Sequence, residues 1–257
     1  GITAVVFEDD YFFANKKRGL EVIRQLDIPW SSNVRADHMA TWGDEFAREV
    51  SQRNCMELRI GAESGSQRVL DIMSKDITVD HIRTSVELCI KHDIPVTTGF
   101  MLGIPGETWR DSLETLNLME ELENMGGNVK TLGPAIFMPY PGTPLFDRAI
   151  EYGFDAPSSL EEWSTSFWGP KQKLSCYQDK RIQFILHYKT LISRENPERL
   201  IFSLPLKLLK GIARFRWKYK FFRFPVDYHI PLAILKVFSQ LGLPGLSDKL
   251  RKEMWEA

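Results

Sequence analysis

The sequence predicts an α/β fold, a parallel sheet whose strands alternate with helices, followed by a helical C-terminal extension. Three observations predict it. The first 150 or so residues repeat one unit: a short apolar run, a polar turn, then a stretch of helical period. The turns between these segments are short, which fits right-handed βαβ connections. Five such units are too few to close an eight-fold barrel, so an open partial barrel or a doubly wound sheet is expected.

The elements follow in order. Thr3 to Phe7 reads as a strand and Lys16 to Leu26 as a helix. Ile28 to Val34 is a second strand, with a helix from about Thr41 to Arg53. Met56 to Gly61 is a third strand, and Ser64 with Gln67 fits a capping box, so a helix is predicted to open there. The next helix, Val79 to Lys91, puts Ile82, Val86, Cys89 and Ile90 on one face. Ile94 to Leu102 is the fourth strand, and Thr108 with Asp111 forms an N-cap pair before Leu113 to Met125. Val129 to Met138 is the fifth strand and Leu145 to Tyr152 the helix after it. This organisation gives a barrel segment at 1–155, a linker and covering helix at 156–200, and a basic, aromatic helical tail at 201–257, with its apolar end broken up by Pro225, Pro231 and Pro244.

A length of 257 residues, 43% of them hydrophobic, suffices for a sizeable core. The net charge of -1 gives the whole chain no bias toward polyanions. Cys55, Cys89 and Cys176 are too scattered for a disulfide framework, and the bland reading is a reduced, cytoplasmic enzyme. Cys55 and Cys89 are expected to be buried. His38, His81, His92, His187 and His229 show no metal-ligand spacing. The chain opens on Gly1 and runs at once into apolar sequence, which predicts a piece of a longer reading frame.

In either architecture ligands bind at the C-terminal ends of the strands, and five unusual turns fall there. Gly99 to Glu107 is the sharpest: its glycines let a flat ligand approach the backbone, and the helix that follows offers free N–H groups. A plain tight turn is the alternative. Glu63-Ser64-Gly65-Ser66 offers a carboxylate and hydroxyls for a ribose, or simple helix capping. Glu8-Asp9-Asp10 could take an ammonium group or a metal, or be a solvated acidic turn. Arg35 beside Asp37 could clamp a carboxylate or form an ordinary ion pair. Trp163 and Trp168 could wall a pocket or simply pack.

Taken together, Phe7 to Phe12, Arg35-Ala36-Asp37, Gly61 to Ser66, Gly103 to Glu107 and Met138 to Leu145 resemble, in order and spacing, the radical SAM enzymes. The likeness is greatest to the branch with an N-terminal cobalamin-binding domain, which includes magnesium-protoporphyrin cyclase-like proteins. It covers about Thr3 to Trp163. The resemblance implies a partial (β/α)6 TIM-like barrel lacking its first βα unit. That unit would carry a CxxxCxxC loop for a [4Fe–4S] cluster, which this chain lacks, so the chain alone is expected to be inactive. The resemblance further implies that S-adenosylmethionine, bound at the cluster, yields a 5′-deoxyadenosyl radical. By the same likeness Glu8, Asp9 and Asp10 would meet the methionine amino group, and Glu63 and Ser64 the ribose and carboxylate. Gly103, Pro105, Gly106, Met138 and Pro139 would line the adenine pocket, with Arg35 a further candidate for the carboxylate. Cobalamin would sit in a domain outside the sequence, and electrons would come from a flavodoxin or ferredoxin.

The implied activity is C-methylation or oxidative cyclisation of a lipid- or tetrapyrrole-like small molecule. Two rivals stand beside it: a radical SAM methylthiotransferase acting on RNA, and a non-catalytic, degenerate half-barrel that binds S-adenosylmethionine. The tail from Leu204 to Arg223 carries seven cations and no acid. It reads as a helix docked on the barrel with snorkelling side chains, as an interfacial helix on an anionic membrane, or, least favoured, as a nucleic-acid surface.

Overall fold

The computed structural model describes residues 1–166, 181–193 and 203–240. Five strands, β1 (Val5–Val6), β2 (Trp30–Val34), β3 (Cys55–Glu63), β4 (Val96–Leu102) and β5 (Val129–Ile136), form one sheet in the order β1-β2-β3-β4-β5, all neighbours parallel. Helices connect them: α1 (Lys16–Arg24), α2 (Ala36–Ser51), α3 (Gln67–Ile72), α4 (Val79–Lys91), α5 (Trp109–Asn124) and α6 (Pro144–Glu151), then the short α7 (Leu160–Ser166). A sequential order with a helix in every crossover is the arrangement of an open, partial TIM-like barrel, one of the two architectures the periodicity allows and the one the resemblance implies.

Alternation along the strands decides which face is core. On β3, Leu58, Ile60 and Ala62 are buried against the helices, while Glu57, Arg59, Gly61 and Glu63 point to the other face and keep some exposure. On β4, Val96, Phe100 and Leu102 join the core in the same way. A parallel sheet buried on both faces would read as a continuous apolar run. Here one face alone is packed by helices, and the concave face is free for another use.

Local signals explain most helix starts. Thr78 and His81 form a reciprocal capping box for α4, as Thr108 and Asp111 do for α5. Asn15 caps α1 by accepting from the Arg18 N–H at 3.0 Å. Three expectations are corrected. The Ser64–Gln67 capping box does not form: α3 starts at Gln67 behind Ser66, whose side chain caps nothing, because Ser64 and Ser66 both bond elsewhere. α2 begins at Ala36, five residues before Thr41, with Asp37 in its first turn. The last helix of the tail runs through Pro231 instead of breaking there, losing one backbone donor near its start.

The chain divides into two compact units, Gly1–Tyr177 and Gln178–Ala257. The second contains α8 (Arg181–Ser193), α9 (Ser203–Lys218) and α10 (Val226–Gln240), with α8 packed on α9. Its buried positions include Ile182, Ile185 and Tyr188 of α8 and Ala213 and Trp217 of α9. Cys176, Trp168 and Pro244 lie outside the described residues.

Candidate functional site

The concave face of the sheet is layered, and strand register shows the layers. Asn33, Arg59, Thr97 and Lys130 are paired in turn across β2, β3, β4 and β5, making one polar row. The next row toward the strand ends is Gly61, Gly99 and Leu132. Interiors of closed barrels are filled by bulky branched side chains. A polar row under a pair of glycines is the lining of a site.

A cavity of about 360 Å³ opens over these rows. Its walls include Asp10 and Tyr11 after β1, Arg35 after β2, Glu63 at the end of β3, and Lys75 and Ile77 after α3. Gly61 and Gly99 form its flat wall. A Cβ on Gly99 would meet nothing within 4 Å and would project into free space. A Cβ on Gly61 would fall 2.7 Å from a Glu63 carboxylate oxygen, so that carboxylate lies across the glycine. Backbone geometry puts it there. The β3–β4 register shifts between Gly61 and Glu63, and Glu63 has a φ of 63°, a left-handed conformation rare outside glycine. Such a bulge re-aims a side chain. Glu63 then pairs with Lys75 at 2.8 Å.

Charges of both signs meet in the cavity. Arg35 is held by Asp37 through two bonds of 3.0 and 3.1 Å, and also donates to the Lys75 carbonyl at 3.0 Å. Burial pushes the Asp37 carboxyl up, but Arg35 outweighs it and holds the group below the usual carboxylate range. Arg59 is less committed: one guanidinium nitrogen sits 3.5 Å from both the Phe7 carbonyl and the exposed Glu8, and its buried Nε has no partner. The Tyr11 hydroxyl is bonded to His38 Nδ1, and burial, then the nearby Asp37, pushes the phenol up to about 12. His38 in turn stacks on Trp42 with centroids 4.9 Å apart.

Of the residues picked out by sequence, Asp10, Arg35 and Glu63 line this cavity. Glu8 reaches it through Arg59, and Asp9 is exposed, its carbonyl accepting from Asn33 at 3.3 Å. Ser64 is 1% exposed and bonds Thr115 at 2.9 Å behind the sheet end. Gly103, Pro105 and Gly106 form a self-contained turn after β4: the Glu107 carboxylate accepts from the N–H groups of Gly103 (2.6 Å) and Ile104 (3.0 Å). Burial pushes the Glu107 carboxyl up, against those bonds and one from Ser112. Arg148 and Tyr152 close on Gly106, and Arg148 donates to the Pro105 carbonyl at 2.9 Å. Met138 and Pro139 follow β5, joined to β4 by the Phe137 N–H to Leu102 carbonyl bond. These five do not line the cavity described. Trp163 packs with Phe146 and Phe154.

Asn33, Arg59, Lys75 and Thr97 are additions outside the motifs, and Tyr11 lies within the Phe7 to Phe12 motif without being singled out there. The signal was present on β3, where Glu57-x-Arg59-x-Gly61-x-Glu63 alternates with Leu58-x-Ile60-x-Ala62.

The cavity suits a ligand with a flat ring, an ammonium and a carboxylate: glycines for the ring, Asp10 and Glu63 for the cation, arginine and lysine for the anion. The residues do not suit an iron–sulfur cluster. Cys89 is buried as expected, whereas Cys55, expected to be buried, is only half-buried at the start of β3; burial pushes both thiols up to about 12, and no group of three His, Cys, Asp or Glu among the described residues could hold a metal.

Comparison with known proteins shows what the chain is similar to. Residues 2–119 match the family model described as Radical SAM superfamily. An uncharacterised methyltransferase of Pyrococcus horikoshii is 27% identical over 206 residues, 78% of this chain and 43% of that protein. A threonylcarbamoyladenosine tRNA methylthiotransferase of Thermotoga maritima is 26% identical over 79% of this chain and 44% of its own length. Among solved structures, the cobalamin-dependent S-adenosylmethionine radical enzyme OxsB, with aqua-cobalamin and S-adenosylmethionine bound, aligns with 98% of this chain and 45% of its own. That alignment has a TM-score of 0.52 at 13% identity and speaks to the fold. The chain spans less than half the length of these relatives.

Proposed function

We propose that this chain, whose residues 2–119 match the Radical SAM superfamily model, is the substrate-facing part of a cobalamin-dependent radical SAM methyltransferase that binds S-adenosylmethionine in the cavity over Gly61 and Gly99. The observation that carries the reading is the paired glycines above a polar row, on a face where a packed barrel would place branched apolar residues. When bound, S-adenosylmethionine would supply either a 5′-deoxyadenosyl radical, one electron from an external cluster cleaving its C5′–S bond to leave methionine, or a methyl group to a nucleophile, leaving S-adenosylhomocysteine. The chain's own residues bind and aim it. Gly99 leaves room for the adenine against the backbone, beside Gly61, which the Glu63 carboxylate covers. Asp10 and Glu63 meet the ammonium and ribose, and Arg59 and Lys75 meet the carboxylate. Arg35, already clamped by Asp37, orders the wall instead of binding directly. Cluster and cobalamin would be held outside the residues described, and the substrate is a lipid- or tetrapyrrole-like molecule, to be methylated or oxidatively cyclised. The narrower likeness to magnesium-protoporphyrin cyclase-like proteins belongs to the same proposal.

A methylthiotransferase acting on RNA is the second reading, favoured by the 26% identity to the Thermotoga maritima protein over 79% of the chain. It predicts a mobility shift with tRNA, which the first reading does not.

Calorimetric titration with S-adenosylhomocysteine tests the site. Gly99→Val should weaken binding at least tenfold while leaving the melting temperature unchanged, since a Cβ there meets no protein atom within 4 Å. Equal affinities in the two proteins would place the ligand elsewhere.

A further inference from the structure

The helix α9 is apolar on two opposite sides. Ala213 and Trp217 are buried at 0% and 7% exposure, on the side where Lys210 is also buried. Opposite them Leu208, Ile212, Phe215 and Tyr219, spaced by four, three and four residues, make a continuous stripe that stands in solvent, with Phe215 at 58% and Tyr219 at 60% exposure. α10 repeats the pattern with Val226, Ile230, Ile234 and Val237, all exposed. The turn between the helices adds Phe221 and Phe224, the latter 78% exposed. Scattered exposed apolar residues are ordinary, but two helical stripes joined by an aromatic turn are a binding surface.

Charge says what it binds. Residues 203–240 hold eight Lys and Arg and one acid, in a chain whose net charge is -1. The single acid, Asp227, is buried and bonded to Arg216 at 2.6 and 3.1 Å, so it contributes no surface charge. Arg214, Lys218, Arg223 and Lys236 are exposed beside the stripes. Apolar side chains beside exposed cations, with no exposed acid within residues 203–240, complement an anionic lipid headgroup layer with acyl chains beneath it. No helix among the described residues is long and apolar enough to cross a membrane, so contact would be with the interface.

We propose that the exposed face of α9, α10 and the Phe221–Phe224 turn docks this protein on an anionic membrane surface. This rests on the second unit alone and is independent of the radical SAM reading.

Vesicle flotation with the 257-residue chain tests it, comparing phosphatidylcholine vesicles with phosphatidylcholine–phosphatidylglycerol vesicles. The chain should float with the anionic vesicles, less so as salt rises. Arg214→Glu with Lys218→Glu should weaken this by about fivefold or more per charge. Phe215→Asp with Tyr219→Asp should abolish it, with melting temperature unchanged in the absence of lipid. Equal binding to both vesicle types, or to neither, overturns the proposal. So does a dimer in light scattering that the Phe215/Tyr219 variant splits, which would make a second copy the occupant. A lowered melting temperature of that variant without lipid would place the stripe inside the fold and overturn it as well. So would an RNA that binds through Arg214 and Lys218 while vesicles do not.

Discussion

Single residues decide how the turn after β3 is built. Gly65 lies so close to α5 that a Cβ would stand 2.5 Å from the Glu114 carbonyl oxygen, and its N–H donates to Thr115 Oγ1 at 3.0 Å. Ser64 and Ser66 follow it onto that helix, Ser66 donating to Asp111 at 2.7 Å. Asp111 also takes the Arg68 guanidinium and the Thr108 N–H and hydroxyl. Burial pushes its carboxyl up, but these bonds outweigh burial and hold it well below the usual carboxylate range. A carboxyl depressed in the folded state contributes stability above its unfolded value, about pH 4, and that contribution fades as the pH falls through the folded value. Asp111→Asn should therefore destabilise the protein at pH 7 by about 2 kcal/mol. The gap to the parent should narrow below about pH 4 in urea titrations; a gap independent of pH would remove the ionic account.

At the scale of elements, irregularities mark the site. Register shifts fall between Gly61 and Glu63 on β3 and between Gly99 and Met101 on β4, beside the glycine wall. The helix α2 is interrupted at Gly43, with φ 63° and ψ -152°, a region that residues with a Cβ scarcely enter. A Cβ there would touch nothing, so the cost of a substitution is backbone strain alone. Gly43→Ala should cost about 1–3 kcal/mol in denaturant unfolding, and an unchanged midpoint would show that α2 can straighten. Regular helices were the easier part to read. α4 spans Val79–Lys91 as its apolar spacing predicts, and the Thr108–Asp111 pair caps α5. The kink in α2 could not be read, because a lone glycine in a helical pattern has no spacing of its own.

For the whole molecule, two units use charge differently. In the sheet unit, ions gather at a cavity. In the helical unit, Arg216 is buried and fully engaged: it bonds Asp227 twice and the carbonyls of Phe221, Arg223 and Phe224 at 2.9 to 3.0 Å, closing the turn between α9 and α10. Removing one partner of such a pair leaves a buried, uncompensated charge. Asp227→Ala should cost this unit about 3–5 kcal/mol, seen as faster amide exchange across α9 and α10. Unchanged exchange there would mean that the carbonyls alone satisfy Arg216.

The alternation of strands and helices and the parallel sheet are legible in the chain alone, because they depend on local periodicity and on residues close together in sequence. The sequence also brought out Asp10, Arg35 and Glu63, which share one cavity. Tertiary structure decided the rest. Arg59 and Thr97 become neighbours through strand pairing, and Gly61 faces Gly99 through register, across 38 residues of chain. Ser64 turns from the rim to α5 because Thr115, far away in sequence, offers it a partner. Arg216 is a structural ion and Arg214 a surface one, though they stand two residues apart in the same basic run. On α9, apolar on two opposite sides, which side is buried depends on what packs against it, and the local pattern does not carry that information.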